Sequence, residues 1–331
     1  MLFKKMLRDI RFNLSQFTTI FLMVFIGILA YSGIRSYMDG MRLTGENFYT
    51  ECNLQDLDAV SQNITDEDLK NIKEIEHVKD AERKLTLSAT MEHEEDRTLQ
   101  LNFIESNNIS KLYVVNGEGF NKEKSGVWLD EYYSINNNLK VGDTIKIKFE
   151  GEVLEEKILG LVNVPDHIYD VRDESELYPD RKEFGFAYLS INEFPEGYIK
   201  KQAMGKYGIE DESVFDKMVP DFNYKDYLVY NYCLIDVDNK ENKNDVKNKI
   251  EDEIDSIAAV TDIEDSYSYE GLQSEIEEGE TYIGVFSGLF LFIAVLSVIT
   301  TMTRVVKKQR IQIVYIERQE IKFENSNNKK I

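Results

Sequence analysis

Residues 281–303 read TYIGVFSGLFLFIAVLSVITTMT, without a charge between Glu280 and Arg304. As a helix this run reaches roughly 35 Å, enough to cross a hydrocarbon core of about 30 Å with some tilt. A second uncharged run of the same length lies at the other end, FNLSQFTTIFLMVFIGILAYSGI over Phe12–Ile34, between Arg11 and Arg35. Its start is polar (Asn13, Ser15, Gln16, Thr18, Thr19), so its apolar part is centred on Ile20–Ile34. The two runs predict transmembrane helices over 12–34 and 281–303 in a protein resident in the lipid bilayer.

Flanking charge sets their direction. Lys4, Lys5, Arg8 and Arg11 precede the first run, and Arg304, Lys307, Lys308 and Arg310 follow the second. The turns before the second carry Glu270, Glu275, Glu277, Glu278 and Glu280 with no Lys or Arg. Basic residues stay on the cytoplasmic side, so both termini are expected inside and residues 35–280 outside the cell membrane. Of the 39 basic residues 27, and of the 61 acidic residues 57, lie between Arg35 and Glu280, which leaves that segment at −30. Such a domain repels phosphate backbones, so nucleic acid is not an expected partner. A rival reading takes the first run as a cleavable signal peptide, with Ala30 and Ser32 as the small residues ahead of Gly33.

Residues 1–11 read as a cytoplasmic amphipathic helix. Leu2, Phe3, Met6, Leu7 and Ile10 share one face and Lys4, Lys5, Arg8 and Arg11 lie largely on another. This helix is either an interfacial anchor or a docking element.

The outer segment reads as a large α+β domain. Thr65 is placed to cap a helix whose first turn holds Asp66, Glu67 and Asp68 and whose apolar face is Leu69, Ile72 and Ile75. Strands are expected near Lys84–Met91, Thr98–Glu105 and Leu112–Val115. Leu139–Phe149 places a Gly142-Asp143 turn before an alternating strand, and Glu150-Gly151 turns it into a second strand reaching Val162. Further strands are expected at Phe184–Ile191 and Leu228–Val237, then a polar helix near Lys240–Ile257 and a strand at Ala258–Ile263. From about Tyr269 one helix is expected to run as a stalk, residues 269–280, into the second membrane run. Within that run Gly284 and Gly288 form a small-xxx-small pattern that permits close helix packing.

No catalytic, cofactor or metal site is expected. His77, His93 and His167 lie far apart without ligands at zinc spacing, and no phosphate loop, nucleophile elbow or HExxH occurs. Asp170, Asp173, Glu174, Glu176 and Asp180 lack the order of a calcium loop and read as a solvated loop. Cys52 and Cys233 are too few for a disulfide framework, and free thiols are expected.

Met1–Ile10 followed by a membrane helix, the Leu139–Ile145 turn with its Gly160 hairpin partner, and the exit Thr300–Arg304 with Gln309–Ile313 resemble the FtsX-like family of ABC transporter permeases. The resemblance spans about Met1–Ile313. It implies a MacB-type extracytoplasmic core domain over 35–268, dimerisation with a second permease protomer, and a separate cytoplasmic ABC ATPase as partner. It also implies export of peptides, lipids or antimicrobial compounds, or control of wall enzymes. The chain departs from the family after Ile313, where Val314-Tyr315-Ile316-Glu317 and a polar tail at Asn325–Lys330 replace a coupling segment and further membrane helices. The expectation is a permease truncated after its second membrane helix, completed by a complementary fragment, with 304–331 a basic segment and disordered tail. The alternative is a membrane sensor or regulator of cell-wall enzymes with the same architecture.

Overall fold

The computed structural model describes residues 10–11, 14–92, 94–169, 171 and 179–327. It is a mixed α/β protein of two units. Residues to Leu43 and from Glu275 form one unit, and Thr44–Ser274 form the other.

The first unit is a pair of helix segments from α1 (Leu14–Cys52) and α7 (Tyr267–Asn327). Both are long and apolar enough to cross a membrane. Large side chains such as Phe21, Ile28, Leu29, Leu291, Phe292 and Ile299 stay exposed along them. A helix apolar all round and uncovered by protein has its solvent in lipid. The segments run antiparallel and touch where one side is small. Gly27 faces the Cβ of Phe290, the Met38 thioether fills the space where Gly279 lacks a side chain, and Ser297 Oγ donates to Met23 Sδ at 3.5 Å. At the polar end Arg42 Nη2 lies 2.9 Å and Arg35 Nη1 3.5 Å from Glu280 Oε1, while Arg35 Nε donates to Asp39 at 3.1 Å. The helix α7 continues to Asn327, so the tail expected to lose structure at Asn325 is helical up to that residue. From Arg304 onward the chain has no Gly or Pro and is rich in Lys, Arg, Gln and Glu, which favour a helix.

The second unit is built on a mixed sheet, ten strands among the described residues. These are β1 (Leu57–Ser61), β2 (Val78–Met91), β3 (Glu94–Ile104), β4 (Tyr113–Gly117), β5 (Val127–Asp130), β6 (Thr144–Phe149), β7 (Glu152–Asn163), β8 (Phe184–Ser190), β9 (Tyr232–Val237) and β10 (Ile257–Asp262). Their order is β10-β1-β9-β2-β3-β8-β5-β7-β4, with β6 paired to β2 and β7. The pairs β3–β8 and β5–β7 are parallel and the rest antiparallel. Helices α2 (Asp66–Glu74) and α6 (Lys243–Glu253) send Ile72, Val246 and Ile250 into a core shared with Leu57, Ala81, Leu101, Phe103 and Ile235. Short helices α3 (Glu131–Asn136), α4 (Glu196–Tyr207) and α5 (Glu212–Met218) complete the unit.

Thr65 caps α2 as its side chain predicts, accepting from the Asp68 amide at 3.1 Å while Asp68 accepts from the Thr65 amide at 2.9 Å. The β6–β7 hairpin also forms, and β6 alternates exposed and buried residues along its length. The strand expected from Leu228 starts only at Tyr232. Asn231 replaces a ladder step with its side chain, donating to the Thr86 carbonyl and accepting from the Thr86 amide, both at 2.8 Å. The helix expected over Lys240–Ile257 is a 3-10 turn (Lys240–Asn242) followed by α6, which ends where Ile254 turns extended. Strands β1 and β5 and helices α3 to α5 were not anticipated. Both faces of β5 are buried, so its side chains show no alternation.

Candidate functional site

The face of the sheet opposite α2 and α6 is polar where it crosses β1, β9 and β2, and it is buried. Asp58, Glu82, Lys84 and Asp236 lie there with Tyr232, next to an apolar satellite around Trp128, Phe186 and Tyr188. The end of α1, residues 105–112 and the turn holding Asp166 reach the seam through hydrogen bonds and an ion pair.

The root of α1 is fixed at Asn53, whose φ of 53° ends the helix in the left-handed region that Asn tolerates. The Ser110 amide donates to the Asn53 carbonyl and the Lys111 amide to the Cys52 carbonyl, both at 2.8 Å. The Asn53 amide side chain reaches the Asn108 carbonyl at 3.0 Å and the Asp236 carboxylate at 3.2 Å, which Lys79 also holds at 2.8 Å. Glu82 anchors the covering loop, accepting from the Asn108 and Ile109 amides and from Asn108 Nδ2 at 2.7 Å. Gln55 accepts a short hydrogen bond from Ser110 Oγ and donates to Asp58 at 3.0 Å.

The root of α7 is held from another side. Ser268, itself buried, accepts from the Tyr169 amide at 3.0 Å, and the Tyr169 ring lies where a side chain at Gly271 would stand. The turn before it, Pro165–His167, buries Asp166 and stacks the His167 ring on Phe186 with centroids 3.9 Å apart. The two roots also meet directly. Tyr49 stacks on Tyr269 at 5.4 Å, and Leu272 packs within 3.0 Å of the position a Cβ on Gly45 would take.

Lys84 is the central charge of the seam, 3% exposed in the middle of β2. Its ammonium lies 3.6 Å from Asp166 Oδ2 and 4.6 Å from the centre of the Tyr232 ring. Burial works to raise the Asp166 carboxyl, but His167 and Lys84 hold it below the usual carboxylate range. Asp58 goes the other way. Burial lifts it to about 6, against the pull of Lys84 and the bonds from Gln55 and Tyr232. A second buried lysine, Lys243 at the start of α6, lies 2.9 Å from Asp262, 3.3 Å from Glu264 and 3.7 Å from Asp56. These groups bind structural elements to one another. Among the described residues no cluster of His, Cys, Asp or Glu is arranged to hold a metal ion.

The residues singled out in the sequence do not converge here, apart from two. His167 and Cys52 border the seam, whereas His77 pairs with Asp238 at 3.1 Å and Cys233 faces the main core. Both cysteines are free and buried, and burial pushes their thiols up, to about 11 for Cys52 and about 12 for Cys233, so neither is poised to react. Of the acidic run, Asp180 accepts from the Lys182 and Glu183 amides, while Asp170, Asp173, Glu174 and Glu176, like His93, lie outside the described residues. Side chains at Gly284 and Gly288 would meet open space, so the small-xxx-small face is not used for packing against α1. The seam itself was missed. Its one sequence signal is the charged pattern Glu82-Arg83-Lys84 inside a strand, which breaks polar-apolar alternation because both faces are covered.

No protein-family model matches the chain, and no curated protein matches it. Solved structures similar to it include the extracellular domain of the noncanonic ABC-type transporter YknZ from Gram-positive bacteria, at 13% identity and a TM-score of 0.35. That likeness covers 63% of this chain and 98% of that one. They also include the periplasmic region of MacB from Actinobacillus actinomycetemcomitans, at 10% identity and a TM-score of 0.37, covering 69% of this chain and 95% of that one.

Proposed function

We propose that the chain acts as a permease component of an ABC exporter. In this reading residues 35–280 stand outside the cell and both termini face the cytoplasm. The observation that carries it is the continuity of α1 and α7. Each is one helix from a lipid-facing segment to a root built into the sheet domain. Neither helix contains Pro, the commonest cause of a sharp kink, and coupling a cytoplasmic ATPase to an outer domain requires helices that connect the two. The family resemblance in the sequence supplies the rest: an ATPase made as a separate protein, a second permease protomer or complementary fragment, and peptides, lipids or antimicrobial compounds as cargo.

Affinity purification of the tagged chain from its native membrane, in mild detergent, tests this reading. A nucleotide-binding subunit is expected to co-purify in stoichiometric amount and to hydrolyse ATP in the complex. Recovery of the intact chain without any ATPase overturns it. Labelling of single introduced cysteines from outside intact cells tests the orientation, with Asn121→Cys expected to react and Ser326→Cys to stay protected.

A further inference from the structure

The helix roots leave the sheet from one place. β1 follows α1 by a few residues, β10 precedes α7 by a few, and the two strands pair antiparallel with Leu57 opposite Asp262. The strand β10 is at the sheet edge, so ladder bonds hold it on one side only. At the end of this pair the Ile263 amide reaches the Asp56 carbonyl at 3.1 Å, and backbone pairing then stops. Lys243 stands at that point. From α6 its ammonium contacts Asp56 on the α1 side and Asp262 and Glu264 on the α7 side, and its side chain is 7% exposed. Asp56 is engaged further by the Val237 amide at 2.9 Å, and Glu264 by Lys240 at 3.0 Å.

We propose that Lys243 is a latch that holds the segment leaving α1 and the segment entering α7 in one register, and that its release widens the range of positions the two helix roots take, with the β1–β10 ladder and the Tyr49–Tyr269 stack still joining them. Three carboxylates from both segments converge on this one buried ammonium. Without the cation, Asp56 and Asp262 are left as like charges beside the last backbone bond of the pair, from the Ile263 amide to the Asp56 carbonyl, while Glu264 keeps Lys240. The latch goes beyond the transporter reading and stands whether or not that reading holds, because its test needs neither ATPase nor cargo.

The test is a distance measurement on the full chain in lipid nanodiscs. Spin labels are placed at Thr50→Cys and Glu270→Cys, both exposed, in a chain whose own cysteines are replaced by Cys52→Ala and Cys233→Ala. The expected result is one narrow distance distribution for the parent and for Lys243→Arg, and a broadened distribution with a second, longer population for Lys243→Met. Thr65→Ala, which loosens α2 at a distance from the roots, serves as a control for general destabilisation and is expected to keep the narrow distribution. An unchanged distribution in Lys243→Met, or equal broadening in the control, overturns the proposal. If Lys243→Met does not fold, Asp56→Asn decides by the same criterion, since it removes the charge that the ammonium holds on the α1 side and leaves Asp262 and Glu264 to keep the ammonium paired.

Discussion

Lys84 Nζ lies 3.6 Å from Asp166 Oδ2, with both side chains more than nine-tenths buried. An ion pair this deep contributes little net stability, yet removing one partner leaves a charge with no solvent. Asp166→Ala is therefore expected to cost about 3–5 kcal/mol. Lys84→Met combined with Asp166→Leu is expected to recover most of that loss. Denaturant midpoints of the full chain in detergent, for the single and double variants, check both statements. A double variant no better than the single one counts against a buried-charge origin.

Burial raises the carboxyl of Glu156, helped by Glu193, to about 7, and that of Asp58 to about 6. The folded protein binds these protons more tightly than the unfolded chain does. Their stabilisation is complete below about pH 4 and is lost as pH rises towards 7. Glu156→Gln is expected to raise stability at pH 8 by roughly 2 kcal/mol and to change little at pH 4. Thermal midpoints of parent and variant across that range should converge at the acid end. Parallel curves would refute the assignment.

Gly185 on β8 faces the Tyr133 ring so closely that an added Cβ would lie 2.6 Å from Tyr133 Cβ and Cγ. Tyr133 is fully buried and has nowhere to retreat. Gly185→Ala is expected to destabilise by about 1–3 kcal/mol through overpacking, although alanine ordinarily suits a strand better than glycine does. A denaturant midpoint at or above the parent's would show that the ring yields.

Arg42 and Glu280 join α1 and α7 within the helix pair at 2.9 Å, both about one-third exposed. Each single alanine variant is expected to lower stability by about 0.5–1 kcal/mol, with coupling visible in a double-mutant cycle. Exchanging the charges, Arg42→Glu with Glu280→Arg, is expected to recover only part of the loss. Arg35, 3.5 Å from Glu280 in the parent, would then face a like charge.

Local chemistry was legible from sequence wherever neighbours along the chain decide the outcome. Two uncharged runs specify spanning helices because their length and lack of charge are properties of the segment alone. Thr65 with Asp68 specifies a helix start, and the strict alternation of β6 specifies a half-buried strand, for the same reason. Strand β5, buried on both faces, hid, since tertiary cover removes the periodicity that marks a strand. Asn231 ended a strand that its apolar neighbours promised, through a partner 145 residues away in sequence.

The sequence alone thus settled a lipid-facing helix at each end of an acidic α+β domain. Only the tertiary structure decided that both helices root beside β1 and β10, with Lys84 buried in the polar seam and Lys243 buried on α6, each against carboxylates supplied by other segments. Charges scattered along a chain carry no mark of which will be desolvated together. That follows from β1 pairing with β10, a contact made across some 200 residues of intervening chain, and long-range pairing is decided by the packing of the whole sheet.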